Sequence, residues 1–179
     1  MCIRDRELRL KVKLILFMSI FSMNLMAYDS FKDMADSMAQ KFNSPVLTTQ
    51  QLQQDLNSNK GMILLDARDE VEFEVSHLKN AYHIGYDDFD LEKTLKKIDK
   101  SKKVVVYCSV GYRSGDITKK LRNNGVDAYN LYGGIFQWIN LGNKVYIRDL
   151  KTKEDSSTQK IHGFNRKWGK WLSKGHVVY

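Results

Sequence analysis

Four consecutive apolar residues, Val104-Val105-Val106-Tyr107, run straight into a polar stretch with one glycine, Cys108-Ser109-Val110-Gly111-Tyr112-Arg113-Ser114. A short apolar run without alternation reads as a strand buried on both faces, and such strands belong to sheets with helices on either side. The rest of the chain supplies matching parts. Met62-Ile63-Leu64-Leu65 ending in Asp66, Ala81-Tyr82-His83-Ile84 and the run from Ala128 to Leu131 read as further strands, with Val46-Leu47 a short strand or extended lead-in. Helical spacing lies between them. Thr48 or Thr49 caps a helix that turns Leu52 and Leu56 inward and stops at Asn59-Lys60-Gly61. A helical turn spans residues 70–75, Leu91, Leu95 and Ile98 mark a helix, and another runs from about Gly115 to Asn123. A Gly133-Gly134 turn then leads into a helix over residues 135–141 that carries Trp138. This alternation predicts an α/β fold of three layers, a mostly parallel central sheet flanked by helices. Active sites in such folds lie at the carboxyl ends of strands, where Cys108 stands.

Charge sits at the two ends of the chain. The net charge is +8; residues 1–27 carry +3 and residues 144–179 carry +6, so the stretch between them is close to neutral. Arg4, Arg6, Arg9, Lys11 and Lys13 precede an uncharged run from Leu14 to Tyr28. That order is the basic region, apolar heart and small-residue exit of a signal peptide, and the run is shorter than the roughly 20 residues of a membrane span. Residues 1–27 are therefore expected to direct export, with cleavage near Ala27 into a bacterial periplasm. Uncleaved, they would anchor the protein at the membrane. Leu25 is a poor fit to the small residue expected two places before the cut. Residues 28–45 follow as an N-terminal amphipathic helix and lead-in, with Phe31, Met34, Met38 and Phe42 at spacings of three and four. Residues 46–142 form the domain, and residues 143–179 a basic, aromatic C-terminal extension. Cys2 and Cys108 are the only cysteines, which excludes a disulfide-stapled scaffold and a four-cysteine zinc site. Cleavage would leave Cys108 alone, and an unpaired thiol in an oxidising compartment is either buried or used.

The chemistry concentrates after the central strand. A strand, a short loop and a helix start leave several backbone N–H groups without intrahelical partners, and a loop that curls into a cradle aims them at one anion. A cysteine at the start of the cradle has its thiolate favoured and becomes a nucleophile. Gly111 lets the backbone turn inward. Arg113 either holds the loop or offers its guanidinium to a bound oxyanion, and Ser114 either caps the next helix or donates to the sulfur. Tyr112 stands at the mouth. On the plainer alternative, Cys108 is a small buried hydrophobe at a strand end and Arg113 a surface residue. Glu70 and Glu72, two apart, share no helix face and make no acid–base pair.

The seven residues from Cys108 to Ser114 resemble the active-site loop of the rhodanese-like sulfurtransferases in their single-domain form, with the cysteine, glycine, arginine and serine positions matching. Leu65-Asp66-Ala67-Arg68 with Glu72-Phe73 resembles the family's first block. His77-Leu78 and Ala81 resemble its next segment, and Leu131-Tyr132-Gly133-Gly134 with Trp138 its last. The resemblance spans about Val46 to Gly142. It implies a rhodanese-like fold with Cys108 and Arg113 as the catalytic pair. Ser109, Val110, Gly111, Tyr112 and Ser114 would form the loop around the substrate and persulfide, with Asp66, Arg68 and His77 as structural supports. It further implies sulfur transfer from thiosulfate, a persulfide or a polysulfide to a thiol or cyanide through a covalent Cys108 persulfide, with no metal and no organic cofactor. The partners would be a small sulfur donor and a thiol acceptor. The alternative is a partner-dependent sulfur carrier or a redox-sensing module. Ser76 and Asn80 stand where the family usually has glycine, which bears on local turn geometry. The loop lacks the glycine-small-glycine pattern of mercaptopyruvate-using relatives. Four residues separate Cys108 from Arg113, one fewer than in phosphatase-type loops, so the resemblance implies a pocket sized for sulfur and not for phosphate.

The tail poses a separate question. Residues 151–160 are polar and read as a linker or exposed loop, and residues 144–149, with Val145 and Ile147 alternating, as a small edge strand. Residues 161–172 interleave Phe164, Trp168 and Trp171 with Arg166, Lys167 and Lys170. These aromatics either dock on the domain, leaving the cations in solvent, or meet a protein partner or an anionic membrane surface. Nucleic acid is the least fitting partner for an exported chain.

Overall fold

The computed structural model describes residues 28–58, 61–149 and 151–179. The expected export segment, residues 1–27, lies outside the described residues. The chain divides into two compact units, Met1–Met34 and Ala35–Tyr179. In the described part of the first, Ser30 Oγ accepts the N–H of Asp33 at 3.1 Å, at the start of helix α1 (Phe31–Lys41).

The second unit is built on five parallel strands: β1 (Val46–Leu47), β2 (Ile63–Asp66), β3 (Tyr82–His83), β4 (Val104–Tyr107) and β5 (Ala128–Leu131), in the order β1-β5-β4-β2-β3. Helices flank the sheet: α2 (Thr49–Asn57), α3 (Glu70–Val75), α4 (Leu91–Lys97), α5 (Tyr112–Arg122) and α6 (Gly134–Asn140). Strand β4 sits in the middle, and all four of its side chains are fully buried, as the unbroken apolar run predicts. Side chains alternate across a strand, so Val104 and Val106 point the same way as Cys108 just beyond the strand end. These three share a cluster with Leu65 and with Ile117 and Leu121 of α5, and Leu91 and Leu95 of α4 pack against it.

Register sets up the site. Asp66 of β2 lies opposite Tyr107 of β4, and the N–H of Ala67 reaches the Tyr107 carbonyl at 2.8 Å. The two strands therefore end level, and the segment after β2 emerges beside Cys108. Thr48 caps α2 with a full capping box, its Oγ1 accepting from Gln51 N while the Gln51 side chain accepts from Thr48 N.

Three expectations need correction. Leu56, in the last turn of α2, is 39% exposed, whereas Leu52 one turn earlier is fully buried. Helix α5 begins at Tyr112, three residues earlier than expected, so three of the seven residues from Cys108 to Ser114 lie in the first turn of a helix. Residues 151–160 are not a linker: β6 (Val145–Arg148) and β7 (Asp155–Thr158) form an antiparallel hairpin of their own, apart from the central sheet. That hairpin is tied to the domain by reciprocal backbone hydrogen bonds between His77 and Tyr146, both 2.8 Å.

Beyond it, β8 (Lys160–His162) pairs in parallel with β9 (His176–Val178), and α7 (Arg166–Gly169) lies between them in sequence. Ile161 and Trp168 are buried, while Arg166, Lys167 and Lys170 stay in solvent. Asn140 of α6 binds the Trp171 carbonyl and the Ser173 N–H, each at 2.8 Å. The extension is thus docked through Ile161, Trp168 and these Asn140 contacts. Among the described residues no helix is long and apolar enough to cross a membrane.

The two departures from glycine resolve differently. Ser76 is extended, a conformation open to any residue. Asn80 has φ 60° and so keeps the left-handed turn, which asparagine tolerates better than most side chains.

Candidate active site

Cys108 is 1% exposed, at the floor of the loop that joins β4 to α5. Gly111 has φ 104°, which bends the chain so that its N–H points back at Cys108 Sγ from 3.2 Å. The first N–H to return along α5 is that of Gly115, which reaches the Gly111 carbonyl at 3.1 Å. The N–H groups of Tyr112, Arg113 and Ser114 thus belong to the opening turn of an 11-residue helix, whose dipole favours negative charge at this end.

The side of the cradle is a polar relay. Asn130 Nδ2 donates to the Gly111 carbonyl at 2.9 Å, which fixes the amide and turns its oxygen toward Ser114. Ser114 Oγ lies 2.7 Å from that oxygen and 3.4 Å from Cys108 Sγ. One hydroxyl proton serves both neighbours. Donated to Asn130, it leaves a lone pair for the thiol proton; donated to sulfur, it supports an anion there.

From below, α6 holds the strand end. Its first N–H groups, on Ile135 and Phe136, take the carbonyls of Cys108 and Ser109 at 2.9 and 3.1 Å. The approach is close enough that a side chain at Gly134, φ 58°, would collide with the Cys108 carbonyl, and with the Ser109 backbone at 2.7 Å.

Arg113 braces the loop from outside. Its NH1 reaches Glu72 Oε2 at 2.8 Å and Asp69 Oδ1 at 3.1 Å, and its NH2 reaches Ser109 Oγ at 3.0 Å. Ser109 Oγ in turn donates to Glu72 Oε1 at 2.8 Å. Burial works against both charges. For Arg113, the nearby Glu72 carboxylate and Cys108 sulfur outweigh it and hold the guanidinium protonated. For Glu72, Arg113 and then Arg68 outweigh it and hold the carboxyl below its ordinary value. The structure thus realises the loop-holding role for Arg113, and the aromatic ring of Phe164 covers its face at 5.2 Å.

The expected supports lie in one connected group beside the loop. Asp66 and Arg68 are fully buried and paired, with Arg68 Nε 3.0 Å from Oδ1 and NH2 2.7 Å from Oδ2. Arg68 NH2 also takes the Ser76 carbonyl at 2.6 Å, fastening the turn before His77. His77 donates from Nδ1 to the Leu78 carbonyl at 2.9 Å and stacks on Phe73 at 4.3 Å. Tyr112 meets Phe42 edge-on at 5.1 Å, with Lys41 Nζ 4.6 Å above its ring. Ser109 and Val110 are buried within the loop.

Sequence reasoning missed Glu72 as the partner of Arg113, and did not bring Asn130, Gly134 or Phe164 to the loop. Glu72 is buried and Glu70 exposed, so the two do face apart. The signal for Asn130 was a lone amide inside the apolar run of β5.

The rhodanese-like domain family matches residues 48–141. The thiosulfate sulfurtransferase GlpE of Coxiella burnetii is 32% identical over 85 residues, which cover 47% of this chain and 78% of that protein. A Mycobacterium tuberculosis protein named "Probable adenylyltransferase/sulfurtransferase MoeZ" is 31% identical over 116 residues, 64% of this chain but only 30% of the relative's length. Among solved structures, a rhodanese-like domain protein from Staphylococcus aureus superposes with a TM-score of 0.52 at 27% identity, covering 59% of this chain and 99% of its own. The chain belongs to the rhodanese-like domain family, whose sulfurtransferase members are among its relatives.

Proposed function

We propose that the protein is a sulfurtransferase that carries sulfane sulfur on Cys108. The observation that carries the reading is the aim of the Gly111 N–H at a buried Sγ just before α5 begins, with Ser114 able to donate to it. A persulfide anion placed there is stabilised by donors already in position, without reorganisation.

The cycle is a double displacement. The Cys108 thiolate attacks the outer sulfur of a donor. With thiosulfate, the S–S bond breaks, its electron pair leaves on sulfite, and Cys108–S–S⁻ remains. An acceptor thiolate, or cyanide in the test tube, then attacks the terminal sulfur and regenerates the Cys108 thiolate. Electrons balance in both steps without an oxidant. GlpE, a relative similar over most of its own length, is named for thiosulfate, which supports including that donor. Export is part of the reading, supported by the basic-then-apolar order of residues 4–27, and a mature protein beginning at Tyr28 tests it.

The test of transfer is intact mass before and after thiosulfate, read at the Cys108 peptide. The expected result is a gain of one sulfur atom, removed by cyanide with release of thiocyanate and absent in Cys108→Ser of unchanged melting temperature. No gain from thiosulfate or from a polysulfide, in protein with a free thiol, would overturn it.

A further inference from the structure

The C-terminal extension reaches the catalytic loop at one residue. Phe164 lies outside the family's matched span, yet its ring sits 5.2 Å over the guanidinium carbon of Arg113. The backbone that presents it is strained. Phe164 has φ 62°, and the N–H of Asn165 closes onto the Gly163 carbonyl at 2.7 Å, a three-residue turn that side-chain-bearing residues rarely adopt at its centre.

That turn is fixed from every side. Gly163 N–H binds the Val178 carbonyl of β9 at 3.0 Å, and Phe164 N–H donates to His162 Nδ1 at 3.0 Å. Asn165 Oδ1 caps α7 by accepting from Lys167 N and Trp168 N at 3.0 and 3.2 Å, and Trp168 is buried. Strain held by so much surrounding structure, beside a reactive centre, is a feature whose use is to be sought there.

What the ring does follows from what is left of Arg113. One terminal nitrogen serves Glu72 and Asp69, the other serves Ser109, and Phe164 closes the face. With three of its five N–H groups bonded and its side chain only 10% exposed, the guanidinium has little left to offer an incoming oxyanion. The other arginine of this group, Arg68, is fully buried and held by Asp66 and the Ser76 carbonyl.

We propose that Phe164 is a specificity-determining residue for the sulfur donor: it keeps Arg113 turned into the loop, so that Cys108 takes sulfur from alkyl persulfides in preference to thiosulfate. This rests on the sulfurtransferase reading and names its donor class. With a persulfide, the Cys108 thiolate attacks the terminal sulfur of R–S–SH, that S–S bond breaks, and R–S⁻ leaves with the electron pair while Cys108–S–SH forms. No sulfonate group needs a cation.

The experiment measures the initial rate of Cys108 mass gain, with thiosulfate and with glutathione persulfide, for the full chain and for Phe164→Gly and Phe164→Trp. Glycine accepts the positive φ and removes the ring; tryptophan keeps an aromatic cover. The parent is expected to prefer the persulfide. Phe164→Gly should raise the thiosulfate-to-persulfide rate ratio about tenfold, the worth of one charge-assisted hydrogen bond that thiosulfate gains from the uncovered guanidinium, through a lower KM for thiosulfate. Phe164→Trp should restore the parent ratio. An unchanged ratio in Phe164→Gly, or a parent that prefers thiosulfate, overturns the proposal. Should Phe164→Gly not fold, protection of the parent decides: millimolar sulfate should leave alkylation of Cys108 by iodoacetamide unaffected, and protection would overturn the idea. A parent that takes sulfur from neither donor overturns the sulfurtransferase reading itself, whereas sulfur taken from either leaves Phe164 to be judged by the ratio.

Discussion

Glu72 and Arg113 meet at 2.8 Å, joining α3 to the first turn of α5 across the mouth of the Cys108 loop. Both are largely buried, and Ser109 closes the triangle by donating to one and accepting from the other. The loop is therefore braced by a charge pair with little contact with water.

Glu72→Ala should destabilise the protein by about 3 kcal/mol, because it strands a mostly buried guanidinium. Glu72→Gln, which keeps a hydrogen-bonding oxygen for Arg113, should cost less. Denaturant unfolding of the two variants measures this. Equal small losses in both would show that Asp69 alone satisfies Arg113.

Gly134→Ala tests the close approach of α6 to the strand end. Its Cβ would collide with the backbone of Cys108 and Ser109, so the expected loss is on the order of 3 kcal/mol, from overpacking together with the positive φ. Gly125→Ala is the control. Gly125 has φ 78° and no atom within 4 Å of its added Cβ, so only the backbone term remains, about 1 kcal/mol. Matching losses in the two variants would remove the packing argument.

Asn130→Leu keeps the volume and deletes both polar contacts. The Gly111 carbonyl keeps only the Gly115 N–H and the Ser114 hydroxyl only the Cys108 sulfur, and the cradle that Gly111 shapes around the sulfur loosens. The rate of Cys108 persulfidation should fall between about tenfold and a hundredfold, as misplaced reacting groups generally cost. A rate equal to the parent's would mean that Gly111 holds its pose unaided.

Two histidines predict a loss of stability on mild acidification. Burial lowers the value of His77 against its Leu78 carbonyl and Asp155, with Arg148 adding to the effect. Burial also lowers that of His162, against Glu72 and Asp69, with Arg68 and Arg113 adding to the effect. In both cases the unfolded chain binds the proton more readily. Their contribution is thus complete above the ordinary value of 6.5 and is lost as the pH falls from there through the lowered folded values. Protonating His162 also removes the acceptor for the Phe164 N–H. Melting temperatures between about pH 7.5 and 5 should decline, and less steeply in His77→Gln. A flat profile would remove both histidines from the account.

Much of this was legible in the chain because the informative residues are contiguous. The β4 run and the seven residues after it state a strand, a cradle and a nucleophile in one stretch. Glu72, Asn130, Gly134 and Phe164 are different: each arrives at the loop from a separate element, and no local pattern announces the meeting. The polar residues 151–160 misled for another reason. Strand β7 pairs through its backbone, and the side chain it buries is the polar Asp155, paired with Arg148, so no apolar alternation marks it. Leu56 looked inward because helical spacing gives a face without saying how far along the helix that face stays covered.

The strand order β1-β5-β4-β2-β3 has a consequence for assembly. Among the described residues, β1 is the first strand in sequence and has only β5 as a neighbour, more than 80 residues downstream, at Val46↔Asn130 and Leu47↔Leu131. The edge of the sheet thus waits for the segment that also brings Asn130 to Gly111 and leads into the turn at Gly134. Contacts so distant along the chain are slow to form. During synthesis, the sulfur cradle and the last strand pairing are expected to be completed together, and only after the chain has emerged well beyond the nucleophile itself.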